Sequence, residues 1–238
     1  MKTILTCILI FGITVLAFAQ DEEESYRKFR AVISFGVTPI NPEQINERIG
    51  NSNYLLNSET KSIKSLPEFA ATISFRPQDD FKILILRAGH ASIERSFRIS
   101  LPQTTTSSTS TGTITGEVVE TYSVIPFSFG IGATTRKSDF QFQIELIYAL
   151  STVTEEGNYK TTNGDNISYS RELTSPAYGL RVAGNASVPI NPTVSMVFEL
   201  GYRMMTFDEF EDERALRYNF FEFPVSGVNL SAGLALSL

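Results

Sequence analysis

Cysteine and histidine are nearly missing from this chain, which holds one of each in 238 residues, and each scarcity closes a chemistry. The cysteine, Cys7, sits in an apolar run from Ile4 to Leu16 that follows Lys2 and precedes Ala17-Phe18-Ala19. A lone positive charge, a short apolar core and an A-x-A tripeptide predict a secretory signal peptide over residues 1–19, its apolar part too short for a spanning helix with normal flanks. Cleavage near Ala19 leaves no cysteine, which excludes disulfides and thiolate catalysis. A single histidine, His90, excludes a zinc site built on three imidazoles, and no other metal site is expected. Beyond Ala19 no apolar stretch approaches the ~18 residues of a membrane-crossing helix. Basic residues are outnumbered, 20 Lys and Arg against 26 Asp and Glu, and form no patch, which argues against nucleic acid as a partner. No cofactor is expected: Gly130-Ile131-Gly132 sits within a strand pattern and opens no helix, so it is no phosphate loop.

What the chain has in abundance is alternation. From Val228 to Leu238 every second residue is apolar (Val228, Leu230, Ala232, Leu234, Leu236, Leu238) and those between are small or polar, the period-two signature of a strand with one oily and one wet face. Seven segments upstream repeat it. Strand one is expected from Phe29 to Pro39, two over Leu66 to Arg76, three over 81–101, four over 117–134, five from Phe140, six over 173–188, seven from Val194, and eight from near Phe223. Strand three is confused in parity, Leu84 and Leu86 pointing one way and Ile93, Phe97 and Ile99 the other, which predicts a bulge near Gly89.

The connections alternate in length: long at 40–66, 101–116, 152–172 and 207–221, short at 77–80, 135–139 and 189–192. Eight strands with short turns on one side and long loops on the other describe an antiparallel up-and-down transmembrane β-barrel. A mean hydropathy of -0.02 is compatible with this, since lipid-facing and lumen-facing residues alternate. The expected organisation is a signal peptide (1–19), an acidic periplasmic leader (20–28) and one barrel domain (29–238). Phe29, Tyr122, Phe140, Tyr202, Phe207 and Phe223 lie near strand ends, where interfacial girdles stand.

The signal with Ala17-Phe18-Ala19, the segment Ile125-Pro126-Phe127-Ser128-Phe129-Gly130 and the closing strand Val228 to Leu238 together resemble the small bacterial outer-membrane β-barrels of the OmpA/OmpX type, in their transmembrane domain only. The resemblance spans the mature chain and is one of pattern; it departs at Leu238, where the family usually ends in an aromatic residue. It implies a bacterial outer-membrane location, contact with outer-membrane lipid and lipopolysaccharide, recognition by the barrel-assembly machinery through Val228–Leu238, and a monomer. The function expected is non-enzymatic: envelope structure, surface interaction or limited solute passage.

Three features carry candidate chemistry. The first is His90-x-Ser92, which resembles the His–Ser pair of barrel lipid A deacylases, where His activates Ser as nucleophile. That family continues with Asn where this chain has Ile93, and either Glu94 or Glu117 would have to orient the imidazole, so an incidental interfacial His is the stronger reading. The second is in the loops. Asn41-Pro42-Glu43-Gln44 starts a helix that Gly50 can stop, either covering the barrel mouth or merely decorating it. Gln103 to Thr115 is a flexible loop or a β-extension, and the acidic stretch 208–213 is a solvated loop in preference to a divalent-ion site.

The third is the lumen. Arg30, Arg76, Glu145, Arg181, Glu199 and Arg203 fall on inward parity, where they avoid the cost of charge on the lipid face. They form either a selectivity cluster or a self-satisfying plug, and eight strands leave a lumen just wide enough for side chains to fill. Pairing Ser187 with Thr193 across the turn sets Arg181 opposite Glu199, with Glu145 at the same height and Arg203 one step higher. A Glu145–Arg181–Glu199 ladder is therefore expected.

Overall fold

The computed structural model describes residues 28–40, 42–56, 60–77, 82–104, 111–134, 140–161, 165–214, 217–218 and 222–237. The signal peptide, the acidic leader up to Arg27, the turn at 135–139 and Leu238 lie outside these. Eight strands build the wall: β1 (Phe29–Pro39), β2 (Ser65–Phe75), β3 (Lys82–Thr104), β4 (Thr111–Thr134), β5 (Phe140–Lys160), β6 (Asn166–Pro189), β7 (Val194–Phe207) and β8 (Gly227–Ser237). Each pairs antiparallel with its sequence neighbours, and β8 pairs with β1, which closes the ring. One helix, α1 (Glu43–Leu56), joins β1 to β2, and three two-residue strands lie between β7 and β8.

The pairings fix the geometry of the ring. Stepping across rungs from Ser237 leads through Arg30, Ser74, Ile85, Gly130, Glu145, Arg181 and Arg203 to Gly227, ten residues from the start on the same strand. A stagger of ten over eight strands requires a tilt of about 40° and a backbone radius of about 8 Å. No slip interrupts that register. In particular there is no bulge at Gly89: Ala88 faces Phe127 and Ala91 faces Val124, three residues on each strand. The rungs missing between them coincide with Pro126, which has no N–H to donate.

The confused parity of β3 has a different cause. Its even-numbered residues face outward from Lys82 to Arg98, but Leu84 and Leu86 give way to Ser92, Glu94, Ser96 and Arg98. The outer face changes from oily to wet, and Ile93 and Phe97 are inward-facing residues. The same change occurs on β5, where exposed Phe142, Ile144, Leu146, Tyr148 and Leu150 are followed on the same face by Thr152, Thr154 and Glu156.

Strands β3 to β6 are 23, 24, 21 and 24 residues long, whereas β1, β2 and β8 have 11 and β7 has 14. Pairing of β2 with β3 stops at Glu68–Ala91, and pairing of β6 with β7 stops at Gly179–Met205. Half the wall therefore rises as a four-stranded sheet well beyond the other half. The stretch expected as a long loop at 152–172 is mostly a hairpin, paired up to Lys160–Asn166, and β3 and β4 pair up to Thr104–Thr111. Thr, Val, Tyr and Ser keep the alternation going there, and β-branched and aromatic residues suit a pleated surface.

The upper end of the ring is filled by an apolar core. Tyr122, Phe207, Phe210, Phe223, Val225, Leu173, Val153 and Met205 are buried together, with Tyr122 and Phe223 rings 5.5 Å apart and Phe207 and Phe223 6.2 Å apart. Three aromatics expected in the outer girdle, Tyr122, Phe207 and Phe223, therefore face inward; Phe29, Phe140 and Tyr202 do face out. Position near a strand end does not set a side chain's face; parity does. Helix α1 closes this core from above. Ile45 and Ile49, one helical turn apart, are 1% and 2% exposed and bury with Ile40, Ile63 and Leu66. Asn46 clamps the returning chain: its side-chain amide donates to the Ile63 carbonyl at 3.0 Å and its Oδ1 accepts from the Ile63 amide at 2.8 Å. Gly50 does not end the helix, which continues to Leu56; the apolar anchors lie before it, and a helical Gly costs only about 1 kcal/mol.

Candidate functional site

Beneath the apolar core, inward parity turns polar. Buried here are Glu68 on β2, Arg87 on β3, Glu145 on β5, Arg181 on β6, and Glu199 and Arg203 on β7, none more than 9% exposed. They form one chain of alternating charge. Glu145 pairs with Arg181, and Arg181 with Glu199. Arg87 lies 3.0 Å from Glu199 and 3.3 Å from Glu68, and Arg203 lies 2.8 Å from Glu68. Neutral side chains add hydrogen bonds to two of the carboxylates. Gln143 donates to Glu145 and to Glu199, each at 3.0 Å, Ser231 donates to Glu199 at 3.1 Å, and Ser128 donates to Glu145. Arg203 reaches the Thr38 hydroxyl at 3.0 Å. Three carboxylates and three guanidiniums thus cancel inside the ring, the arrangement a buried charge requires.

The anticipated ladder of Glu145, Arg181 and Glu199 forms, but not from the register expected. Glu145 is directly opposite Arg181. Across the next rung, however, Arg181 faces Arg203, and Glu199 faces Asn185. The turn causes the shift. The last rung is Pro189–Ser195, not Ser187–Thr193, because Asn191 Oδ1 accepts from the amides of Thr193 (2.9 Å) and Val194 (2.7 Å) and draws residues 190–193 into the loop. Arg181 then meets Glu199 diagonally across the tilted wall, which the length of a guanidinium side chain permits.

Arg30 and Arg76 are buried nearer the other end of the lumen, Arg30 donating to the Ser187 hydroxyl. Glu68 and Arg87 were missed by sequence reasoning. Both were available from parity, since each directly adjoins an outward apolar residue, Phe69 and Leu86.

A second charged row crosses the raised sheet on its inner face. Arg95, Glu120, Glu155 and Arg171 are rung partners across β3, β4, β5 and β6. Arg95 Nε donates to Glu120 at 2.8 Å, Tyr122 donates to the same carboxylate at 2.7 Å, and the Arg95 guanidinium lies 5.2 Å from the Tyr122 ring. One row higher, Tyr169 stacks with Tyr159 (5.7 Å, 11°) and donates to Glu155. Partial burial, then this hydrogen bond, holds the Tyr169 phenol well above its ordinary pKa.

His90 and Ser92 face outward on β3, His90 opposite Phe69 and Ser92 opposite Ser123. Glu94 is four residues along the strand from His90, about 13 Å, and Glu117 sits opposite Arg98, farther still. Neither carboxylate is within hydrogen-bonding reach of the imidazole, and among the described residues no hydrogen bond joins His90 to Ser92. In the acidic stretch, Phe210 is buried, Asp212 accepts from the Arg214 amide at 2.9 Å, and Glu211 is a rung partner of Thr174. No group of three or more His, Cys, Asp or Glu among the described residues is placed to hold a metal ion.

No protein-family model and no curated protein matches the chain. Among solved structures it is similar to a major outer membrane protein from Thermus thermophilus (13% identity, 88% of this chain and 99% of that one, TM-score 0.42). It is similar too to the outer membrane protein OprG from Pseudomonas aeruginosa (11% identity, 89% and 95%, TM-score 0.39) and to Ail, the attachment invasion locus protein of Yersinia pestis (12% identity, 89% and 99%, TM-score 0.34).

Proposed function

We propose that this protein is a sealed, non-enzymatic outer-membrane barrel whose work is done by the sheet it holds above the membrane, as a surface-interaction element and not as a pore. The observation that carries this is the filled ring: a charge chain across the middle, an apolar core above it and helix α1 over that core. Water would have to break buried ion pairs and then cross a dry aromatic layer, and each step is unfavourable.

The outer surface supports the membrane reading. Leu146 (67% exposed), Ile131 (61%), Leu230 (59%) and Leu86 (58%) belong to an apolar belt running round the ring, far larger than water-exposed apolar patches on soluble proteins. In this reading the neighbours of the belt are outer-membrane lipid and lipopolysaccharide, and Val228–Leu238 presents the closing strand to the assembly machinery. Purified protein in a planar bilayer should show no steady conductance, and tags inserted at 105–110 or beside Asp208 should be reached by antibody on intact cells. Large steady pores would sink the sealed-barrel reading; labelling only after permeabilisation would sink the surface reading.

A further inference from the structure

Among the described residues above the apolar belt, the outward face of the raised sheet is polar apart from Val119, and most of its charge is acidic: Glu94, Glu117, Glu156 and Glu172. It carries two basic side chains among the described residues, Arg98 and Lys160, and both line one groove of about 550 Å³ near the free end of the sheet. Its floor is made by two adjacent rows. Arg98, Glu117, Asn158 and Ser168 are successive rung partners across β3 to β6, and in the next row Lys160 faces Asn166. Neither cation is ion-paired among the described residues, although Glu117 stands directly across from Arg98.

We propose that this groove binds a phosphorylated saccharide of the lipopolysaccharide surrounding the barrel. The assignment rests on the outer-membrane reading above and names where that leaflet is gripped. Neighbouring strands are about 4.8 Å apart and successive outward residues about 6.6 Å, so Arg98 on β3 and Lys160 on β5, one row higher, stand roughly 12 Å apart. Glu117 and Thr115 of β4 lie between them, and Asn158, Asn166 and Ser168 beside Lys160. Two separated cations with neutral donors and acceptors to one side of them suit an anionic sugar, whose hydroxyls take the amides and the Ser168 and Thr115 hydroxyls while its phosphate takes a cation. An apolar partner finds little here to bury.

Height points the same way. On β5 the outer apolar face ends at Leu150, and Asn158 stands roughly 20 Å above it along the tilted strand. That is the level of saccharides and not of acyl chains. Glu117 is the one unfavourable group in the groove, and its carboxylate is free to accept sugar hydroxyls.

The test uses the full mature chain in phospholipid nanodiscs, titrated calorimetrically with core oligosaccharide released from lipopolysaccharide, before and after enzymatic dephosphorylation, and with inorganic phosphate. The native oligosaccharide should bind, dephosphorylation and the Arg98→Ala/Lys160→Ala variant should each weaken binding roughly tenfold or more, and Glu117→Gln should strengthen it. Affinity in wild type should also fall as salt rises, a readout that needs no variant to fold. Equal binding of the dephosphorylated sugar, an unchanged double variant, or inorganic phosphate binding as tightly as the oligosaccharide would overturn the proposal. Because the nanodisc assay does not depend on cellular location, its failure is separable from failure of the surface-labelling test.

Discussion

Removing Arg181 should show whether the lumen is held by its charge chain. Glu145 is 0% exposed and sits at one end of that chain, with Arg181 as its only ion-pair partner among the described residues. In Arg181→Met it keeps only the Ser128 hydroxyl and the Gln143 amide, and three buried carboxylates face two guanidiniums. Leaving a buried charge uncompensated costs about 3–5 kcal/mol, a large part of a total of about 5–15 kcal/mol. Glu145→Gln alone should cost less, because Arg181 keeps Glu199. The double variant restores two acids against two bases and should be more stable than Arg181→Met alone, with a favourable coupling of about 1–3 kcal/mol. The chain has no tryptophan, so unfolding in urea is best followed by the heat-modifiable shift of the folded band on a gel. If Arg181→Met unfolds within about 1 kcal/mol of wild type, or the double variant loses as much as the two singles added, the chain is not a coupled network.

Leu146, the outward neighbour of Glu145, should tolerate charge poorly: Leu146→Arg is expected to cost about 2–4 kcal/mol in lipid, and no loss would place that face in water. Phe207, fully buried in the upper core, should cost about 3–5 kcal/mol when cut to Ala, yet the variant should stay silent in a planar bilayer because the charge chain below remains. Tyr169 gives a pH signature outside the membrane. Its phenol pKa is raised in the folded state, so the stability it adds is present below the ordinary tyrosine value of 10.0 and lost as pH climbs past it. Ultraviolet titration should show a late-ionising tyrosine that disappears in Tyr169→Phe; an unchanged titration curve would refute the Tyr169–Glu155 contact.

Alternation alone determined that eight strands form, where most of them begin, and which residue faces which way. Parity is local: a strand repeats every two residues, so one outward Leu fixes the face of every residue in register with it. That is why Arg30, Arg76, Glu145, Arg181, Glu199 and Arg203 could be placed inside from the sequence, and why Glu68 and Arg87 were equally within reach. Ion-pair partners were not. They depend on how each turn sets the register, and with the Asn191 side chain holding the turn each β6 residue faces a β7 residue four positions beyond the expected one, Arg203 in place of Glu199 opposite Arg181. Solvent was the other hidden variable. On β3 the outer face passes from Leu86 to Glu94 with no change in backbone, because the apolar belt ends there while the strand continues. Tyr122, Phe207 and Phe223 have the composition of an interfacial girdle, and only the closed ring, drawing strands far apart in sequence around one axis, makes them the core that shuts the barrel.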